Sequence, residues 1–279
     1  MTPRFAMRSL AFFSLIGAAL LTACGGSDDD AQIDIQVDRL SYFQVSQFTV
    51  SGGALDDKIT ISTKACTGLQ QVGTGTTTQR TVSCTVGATG QGAVTLEVKD
   101  SAGKLLKTLS FHVPEPQVAL GTTLGRIVVE LNPTVAPATT VNFLRYVHSG
   151  FYNNTLFHGV VAGSLVQGGY LNTTPAQQLG VLAPIALETN RGLSNVRGTL
   201  ALSRKAGADT ATSQFYFNLA DNPQLDYASP ERPGYAVFGR VVQGLEVLDA
   251  IGQVPTNLLY GLPHFPVSDV VITSAVQIQ

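Results

Sequence analysis

The residues best suited to chemistry lie between Thr155 and Gly169, in the run Thr-Leu-Phe-His-Gly-Val-Val-Ala-Gly-Ser-Leu-Val-Gln-Gly-Gly. Gln167 is its one side chain with both amide donors and an acceptor. Such a group holds a carbonyl or an N–H against an otherwise apolar surface. Val160 and Val161, set between glycines, read as a short buried strand that ends near Gly163 and resumes through Leu165 and Gln167. Gly168 and Gly169 then let the backbone turn where a side chain would clash. His112, His148 and His264 are dispersed and make no metal-ligand spacing, so no metal is expected. Cys66 and Cys84 lack the Cys-x-x-Cys spacing of a redox pair and have no histidine close by in sequence.

The chain that must position these groups has 279 residues, room for two domains of ordinary size. Hydrophobic residues make up 44% and charged ones 13%, which fits globular or exported material rather than disorder. A net charge of -2 with no basic block argues against a nucleic-acid partner. Arg4 and Arg8 precede an apolar segment, Leu10 to Leu21, and together they read as an export signal. No later apolar run reaches the 18 to 20 residues, roughly, of a membrane span. The signal ends in Leu21-Thr22-Ala23-Cys24, which resembles the lipobox of bacterial lipoproteins. That resemblance implies removal of residues 1–23 and lipidation of Cys24, with several acyl chains giving stable anchoring. Residues 24–30 form an acidic, flexible tether. Asp is absent directly after Cys24, which by the same resemblance implies a bacterial cell-envelope protein at the outer membrane, facing the periplasm.

From 31 to 114 apolar residues alternate at the strand period. They fall at Ile33, Ile35 and Val37, at Ile59 and Ile61, at Val82, Cys84 and Val86, at Val94, Leu96 and Val98, and at Phe111 and Val113. Gly52-Gly53, Asp56-Asp57, residues 87–92 and residues 101–103 punctuate them. Short strands with regular turn signals predict an all-β, immunoglobulin-like sandwich. In an exported sandwich Cys66 and Cys84 most simply form a disulfide, which stabilises by about 3 kcal/mol in the chain-entropy model. No catalytic constellation appears here, and the segment reads as a spacer.

Pro114-Glu115-Pro116 reads as a stiff linker. Beyond it, residues 125–131 predict a strand. Pro137 opens a helix whose apolar face is Val141, Leu144 and Val147, and Gly150 ends it. Leu245, Leu248 and Ile251 predict a second helix over 244–251, and residues 267–275 a last strand. The run from Phe157 to Gly169 resembles the heart of the cyclophilins, a family of peptidyl-prolyl cis-trans isomerases whose pattern is Phe-His-Arg-Val-Ile-x-Gly-Phe-Met-x-Gln-Gly-Gly. Phe157, His158, Val160, Gly163, Gln167, Gly168 and Gly169 match. Residues 136–152, 195–204, 211–222 and 234–244 resemble the same family in order, so the likeness covers 115–279. It implies a closed eight-stranded antiparallel barrel with two capping helices and a groove on the outer face, since side chains fill so small a barrel.

The same resemblance implies a site. The family's catalytic arginine position is Gly159 here, and an aromatic wall of the proline pocket is Ser164. Ser164, Leu165, Tyr216 and Leu225 take the pocket positions. Gln167 keeps the carbonyl-holding role, Ser203 falls where backbone contacts to the peptide are made, and Tyr235 takes the rim. Gln224 replaces a ring. Arg204 is the candidate stand-in guanidinium, ahead of Arg191 and Arg197. His158 reads as a hydrogen-bonded structural histidine, because prolyl isomerisation needs no proton transfer. The expected activity is isomerisation of proline-containing exported polypeptides by a lipid-anchored monomer without cofactor, with turnover lowered by Gly159. The alternative is a peptide-binding or scaffold lipoprotein that keeps the groove without catalysis.

Overall fold

The computed structural model describes residues 33–279 apart from 54, 56, 57 and 88–92. The export signal, Cys24 and the acidic tether therefore lie outside the described residues. Among the described residues no helix is long and apolar enough to cross a membrane.

The first seven strands form two antiparallel sheets. β1 (Asp34–Val37), β2 (Val45–Ser51), β3 (Thr60–Thr63), β4 (Cys66–Gln71), β5 (Gln79–Val86), β6 (Ala93–Lys99) and β7 (Leu105–His112) sort into the orders β1-β2-β5-β4 and β3-β6-β7. Residues of period two turn inward from both. Phe48 on β2 meets Phe111 on β7 with ring centroids 5.6 Å apart, and Val50, Leu96 and Val98 are fully buried around them. Cys66 and Cys84 sit on the paired strands β4 and β5 and are joined by a disulfide, with Cα atoms 5.5 Å apart.

The second half is a closed barrel. β8 (Gln117–Thr122), β9 (Gly125–Leu131), β10 (Thr155–Val161), β11 (Leu165–Asn172), β12 (Thr199–Leu202), β13 (Phe215–Asn218), β14 (Val237–Gln243) and β17 (Val271–Gln277) run around it in the order β10-β11-β13-β12-β14-β9-β8-β17. The β10–β17 pairing closes the ring and leaves no open sheet edge. Its interior is packed with aromatic rings. Phe143, from α1 (Pro137–His148), lies 5.5 Å from Phe215 and 5.3 Å from Phe238, and Phe215 makes edge contacts with Phe157 and Phe217. The second helix, α2 (Leu245–Gly252), buries Leu248 and Ile251. It begins one residue later than the spacing predicts, because Gly244 takes a left-handed φ of 86° as its cap.

Two local expectations are corrected. Gly168 and Gly169 lie within β11 rather than at a turn, although Gly169 takes a left-handed φ of 82°. They are glycines for close packing: a Cβ on Gly169 would meet the Ser213 carbonyl oxygen, and one on Gly168 the Phe157 ring at 3.0 Å. The last strand begins at Val271 rather than at 267. The residues before it belong to a separate hairpin, β15 (Thr256–Leu259) with β16 (Leu262–Pro266), whose Phe265 packs on Leu156 and Leu171.

The loop between β1 and β2 docks onto the barrel. Gln277 Nε2 donates to Ser41 Oγ (3.1 Å) and to the Tyr42 carbonyl (2.9 Å), and Gln277 Oε1 lies 2.7 Å from His148 Nε2. The Phe43 ring stacks on His148 at 5.8 Å. Arg39 donates to the Ile278 carbonyl at 2.9 Å. Buried among these, the Tyr42 hydroxyl is pushed up to about 12 by desolvation, then by the charges of Glu188 and Glu115.

Candidate functional site

Strand register puts five residues in one row across the barrel wall. Gly159 pairs with Gln167, Gln167 with Tyr216, Tyr216 with Ala201 and Ala201 with Val237. Partners across an antiparallel ladder share a face. Val160, Val166, Phe215, Phe217 and Leu200 alternate with that row and belong to the interior core, so the row faces outward. On that face Ala201, Tyr216 and Val237 form a separate apolar cluster, with Leu165, Leu225 and Tyr235 packed against it. The result is a small apolar groove on the outside of a filled barrel.

Polar groups stand at both ends of this cluster. At one end Gln167 Nε2 donates to Gln214 Oε1 (2.9 Å) and to Ser203 Oγ (3.3 Å). Ser203 is itself fixed where the chain leaves β12, its N–H donating to the Gln214 carbonyl at 2.8 Å. Arg204 follows. Its Nε donates to the Gly234 carbonyl (2.8 Å), and its Nη1 to the carbonyls of Lys205, Ala206 and Gly207. The guanidinium carbon lies 4.8 Å from the centre of the Tyr235 ring, and that ring lies edge-on to Tyr216 at 5.8 Å. Arg204 therefore borders the groove through Tyr235. The other two arginines are committed elsewhere: Arg197 to Asp249 in a two-bonded pair and to the Leu219 carbonyl, and Arg191 to Glu188 and the Val135 carbonyl.

At the other end the 3₁₀ turn Pro223–Leu225 brings Gln224 and Leu225 beside the β10–β11 turn. Ser164 Oγ and Gln224 Nε2 both donate to Asn222 Oδ1, at 3.3 and 3.0 Å. Beneath the groove runs a polar network absent from the sequence-based site. Tyr216 donates its hydroxyl to Asn195 Oδ1 at 2.7 Å, and Asn195 is held by Asp226 through its own N–H and its amide. Asn218 and Asn222 complete it. Burial raises the Tyr216 hydroxyl well above its ordinary range, so it stays a neutral donor. The signal available in the sequence was three asparagines at 195, 218 and 222 within or beside apolar strands, a residue type that is rarely buried without partners.

His158 is 94% buried (6% exposed) next to Tyr170. Desolvation drops its pKa from 6.5 to about 4, against smaller upward pulls from the Leu156 backbone and Gln214. Its Nδ1 has no hydrogen-bond partner among the described residues. It is a neutral, buried histidine, unsuited to acid–base work at neutral pH. No cluster of three or more metal-ligating side chains exists among the described residues.

Comparison with known proteins bears on what such a groove does. A family model described as "Cyclophilin type peptidyl-prolyl cis-trans isomerase/CLD" matches residues 117–277. The chain is 47% identical over 160 residues to a peptidyl-prolyl cis-trans isomerase of Streptomyces antibioticus, covering 57% of this chain and 96% of that protein. It is 44% identical over 158 residues to peptidyl-prolyl cis-trans isomerase A of Dickeya dadantii, covering 57% and 82%. It is 41% identical over 159 residues to peptidyl-prolyl cis-trans isomerase B of Escherichia coli, covering 56% and 96%.

Proposed function

The chain belongs to the cyclophilin family of peptidyl-prolyl cis-trans isomerases, and from that premise we propose that it is an envelope isomerase of low turnover acting on exported, proline-containing polypeptides. The observation that carries the reading is the outward row Gly159–Gln167–Tyr216–Ala201–Val237 with its apolar cluster.

An X-Pro bond rotates slowly because amide resonance sets a barrier of about 18–20 kcal/mol. Speeding it needs no nucleophile, only a surface that binds the twisted amide better than either planar form. Leu165, Tyr216, Leu225 and Tyr235 receive the pyrrolidine ring. Gln167 holds the adjoining carbonyl, which displaces the longer of its two amide bonds, the one to Ser203. In the twisted state the proline nitrogen regains its lone pair, and a donor aimed at it stabilises that state selectively. Gly159, at the position of the family's arginine, offers none. A charged hydrogen bond is worth about 1.5–3 kcal/mol, and the ring missing at Ser164 about as much again. Together that is about 3–6 kcal/mol, or roughly a hundred- to ten-thousand-fold in rate. Arg204 is the stand-in: its Nη2 bonds no described group, and it lies over the rim residue Tyr235.

The Leu21-Thr22-Ala23-Cys24 motif supports a lipid anchor at Cys24, with the protein a monomer at the outer membrane facing the periplasm. The two facing sheets of the first half support an immunoglobulin-like spacer spanning residues 31–114. The side-chain-free position at Gly159 favours one second reading, a peptide-binding lipoprotein without catalysis. Exchange spectroscopy on a proline peptide with purified protein separates the two. Cross-peaks above the uncatalysed rate that vanish in Gln167→Ala support the isomerase. No acceleration at equimolar protein, with binding retained, leaves the second reading.

A further inference from the structure

The groove's second polar end carries information about which peptides it takes. Asn222 is 4% exposed, and its amide orientation is fixed: Nδ2 donates to the Ser164 carbonyl (3.0 Å), to Asn218 Oδ1 (2.9 Å) and to the Ala220 carbonyl (3.2 Å). With Nδ2 spent on these three acceptors, Oδ1 is the atom left for the Ser164 hydroxyl and Gln224. Oδ1 accepts, so both neighbours must spend a hydrogen on it. The Ser164 hydroxyl uses its one proton there, and Gln224 turns Nε2 inward. What Ser164 then presents to solvent is acceptor, its Oγ lone pairs; Gln224 presents Oε1, which receives no donor among the described residues, together with the second hydrogen of Nε2. Gln224 is exposed and Ser164 half-buried, so both are open to a ligand.

This acceptor edge lies next to the apolar cluster, because Ser164 precedes Leu165 and Gln224 precedes Leu225. Along β11 Leu165 and Gln167 are the outward residues, roughly 6.6 Å apart at 3.3 Å per residue, and Ser164 sits in the turn just before the strand. That is the rise of two residues in an extended peptide. A proline ring seated on Leu165, with its neighbouring carbonyl at Gln167, therefore places an adjacent side chain at Ser164 and Gln224.

Building on the isomerase reading above, we infer that Ser164 and Gln224 form a specificity subsite selecting a hydrogen-bond donor side chain, hydroxyl, amide or ammonium, on the residue flanking the proline. An apolar side chain there would cover two acceptors without satisfying them, which is unfavourable once water is displaced. A carboxylate would face the same two acceptors with only the remaining Gln224 Nε2–H to pair with, a poorer match than a donor side chain.

The test titrates two peptide series, Ala-Xaa-Pro-Ala and Ala-Ala-Pro-Xaa with Xaa as Gln, Lys, Leu, Phe or Glu, into ¹⁵N-labelled protein. Shifts of the Gln167 and Tyr216 backbone amides report binding, and exchange rates are read on the same samples. In one series Gln and Lys should bind about three- to ten-fold more tightly than Leu, the range expected of one hydrogen bond, and more tightly than Glu. Gln224→Leu, an exposed change that leaves Asn222 its other partners, should erase the preference. Ser164→Phe should invert it in favour of Leu and Phe. Equal or tighter binding of Leu and Phe by the wild type in both series overturns the subsite while leaving the proline groove intact. A preference unaltered in Gln224→Leu overturns it as well. If no proline peptide of either series perturbs Gln167 or Tyr216, the subsite falls together with the isomerase reading.

Discussion

Gly159→Arg is the substitution that most sharply separates a weakened isomerase from a barrel that lacks catalysis for other reasons. Its magnitude follows from local geometry. Gly159 is not among the glycines with a left-handed backbone, so a side chain carries no backbone strain. An added Cβ meets one neighbour within 4 Å, the Gln167 Cβ at 3.5 Å, an ordinary van der Waals contact. The register with Gln167 directs the new side chain outward beside the Gln167 amide. A guanidinium there supplies one charged hydrogen bond to the twisted amide, about 1.5–3 kcal/mol. At 1.36 kcal/mol per decade that is roughly a ten- to hundred-fold gain in exchange rate. Line-shape or exchange spectroscopy on an Ala-Ala-Pro-Phe-type peptide, with Gly159→Ala as the control, measures it. Arg204→Ala should slow the wild type and leave Gly159→Arg nearly unaffected, since one cation then replaces the other. The reasoning is refuted if Gly159→Arg folds, binds the peptide and turns it over no faster than Gly159→Ala.

Three further outcomes are expected. Glu188 is nearly buried and accepts from the Ala138 and Thr139 N–H groups at the start of α1, where Ala136 offers no side-chain cap; Glu188→Ala should cost about 1–3 kcal/mol in urea unfolding and speed amide exchange in the first turn, and a loss under about 0.5 kcal/mol would contradict the capping role. His158, with its pKa lowered from 6.5 to about 4, binds its proton more weakly folded than unfolded, so stability is whole above pH 6.5 and falls as pH drops toward 4, by about 3 kcal/mol; unfolding curves of wild type and His158→Gln should diverge across that window, and parallel curves would exclude the assignment. Replacing Cys66 and Cys84 together by Ser should lower stability by about 3 kcal/mol for a loop of 18 residues, with groove binding unchanged; a change in peptide affinity would show that the disulfide does more than brace the first sheets.

How much was legible in the sequence depended on whether local pattern and packing agreed. The strand at 125–131 and the helix opened by Pro137 appear with those bounds or within two residues of them, because apolar periodicity and terminal signals coincide there. Gln167 stood out in the sequence as a lone amide in an apolar strand, and in the structure that amide is bonded to Gln214 and Ser203. β4 was not anticipated: Cys-Thr-Gly-Leu-Gln-Gln has no clean alternation, and its burial pattern is largely exposed. The β15–β16 hairpin was hidden because its turn places Tyr260 at a φ of 53° beside Gly261, without the Asn-Gly or Asp-Gly pair that marks such turns. The clash expected at Gly168 and Gly169 is there, but inside β11 rather than at a turn, because it comes from Phe157 and Ser213, residues that only tertiary packing brings near, and Gly169 adds a φ of 82°. The asparagine network under the groove showed in the sequence only as three asparagines in or beside apolar strands; which of them pair was hidden, because they come from separate loops and strands.

The central claim is that the apolar cluster on the outer wall receives a proline ring. Intermolecular NOEs from a bound peptide test it directly. The account predicts contacts from the proline ring protons to the methyls of Leu165 and Leu225 and to the rings of Tyr216 and Tyr235. Contacts confined to any other face of the protein, or a peptide that binds without its proline touching these residues, would contradict it.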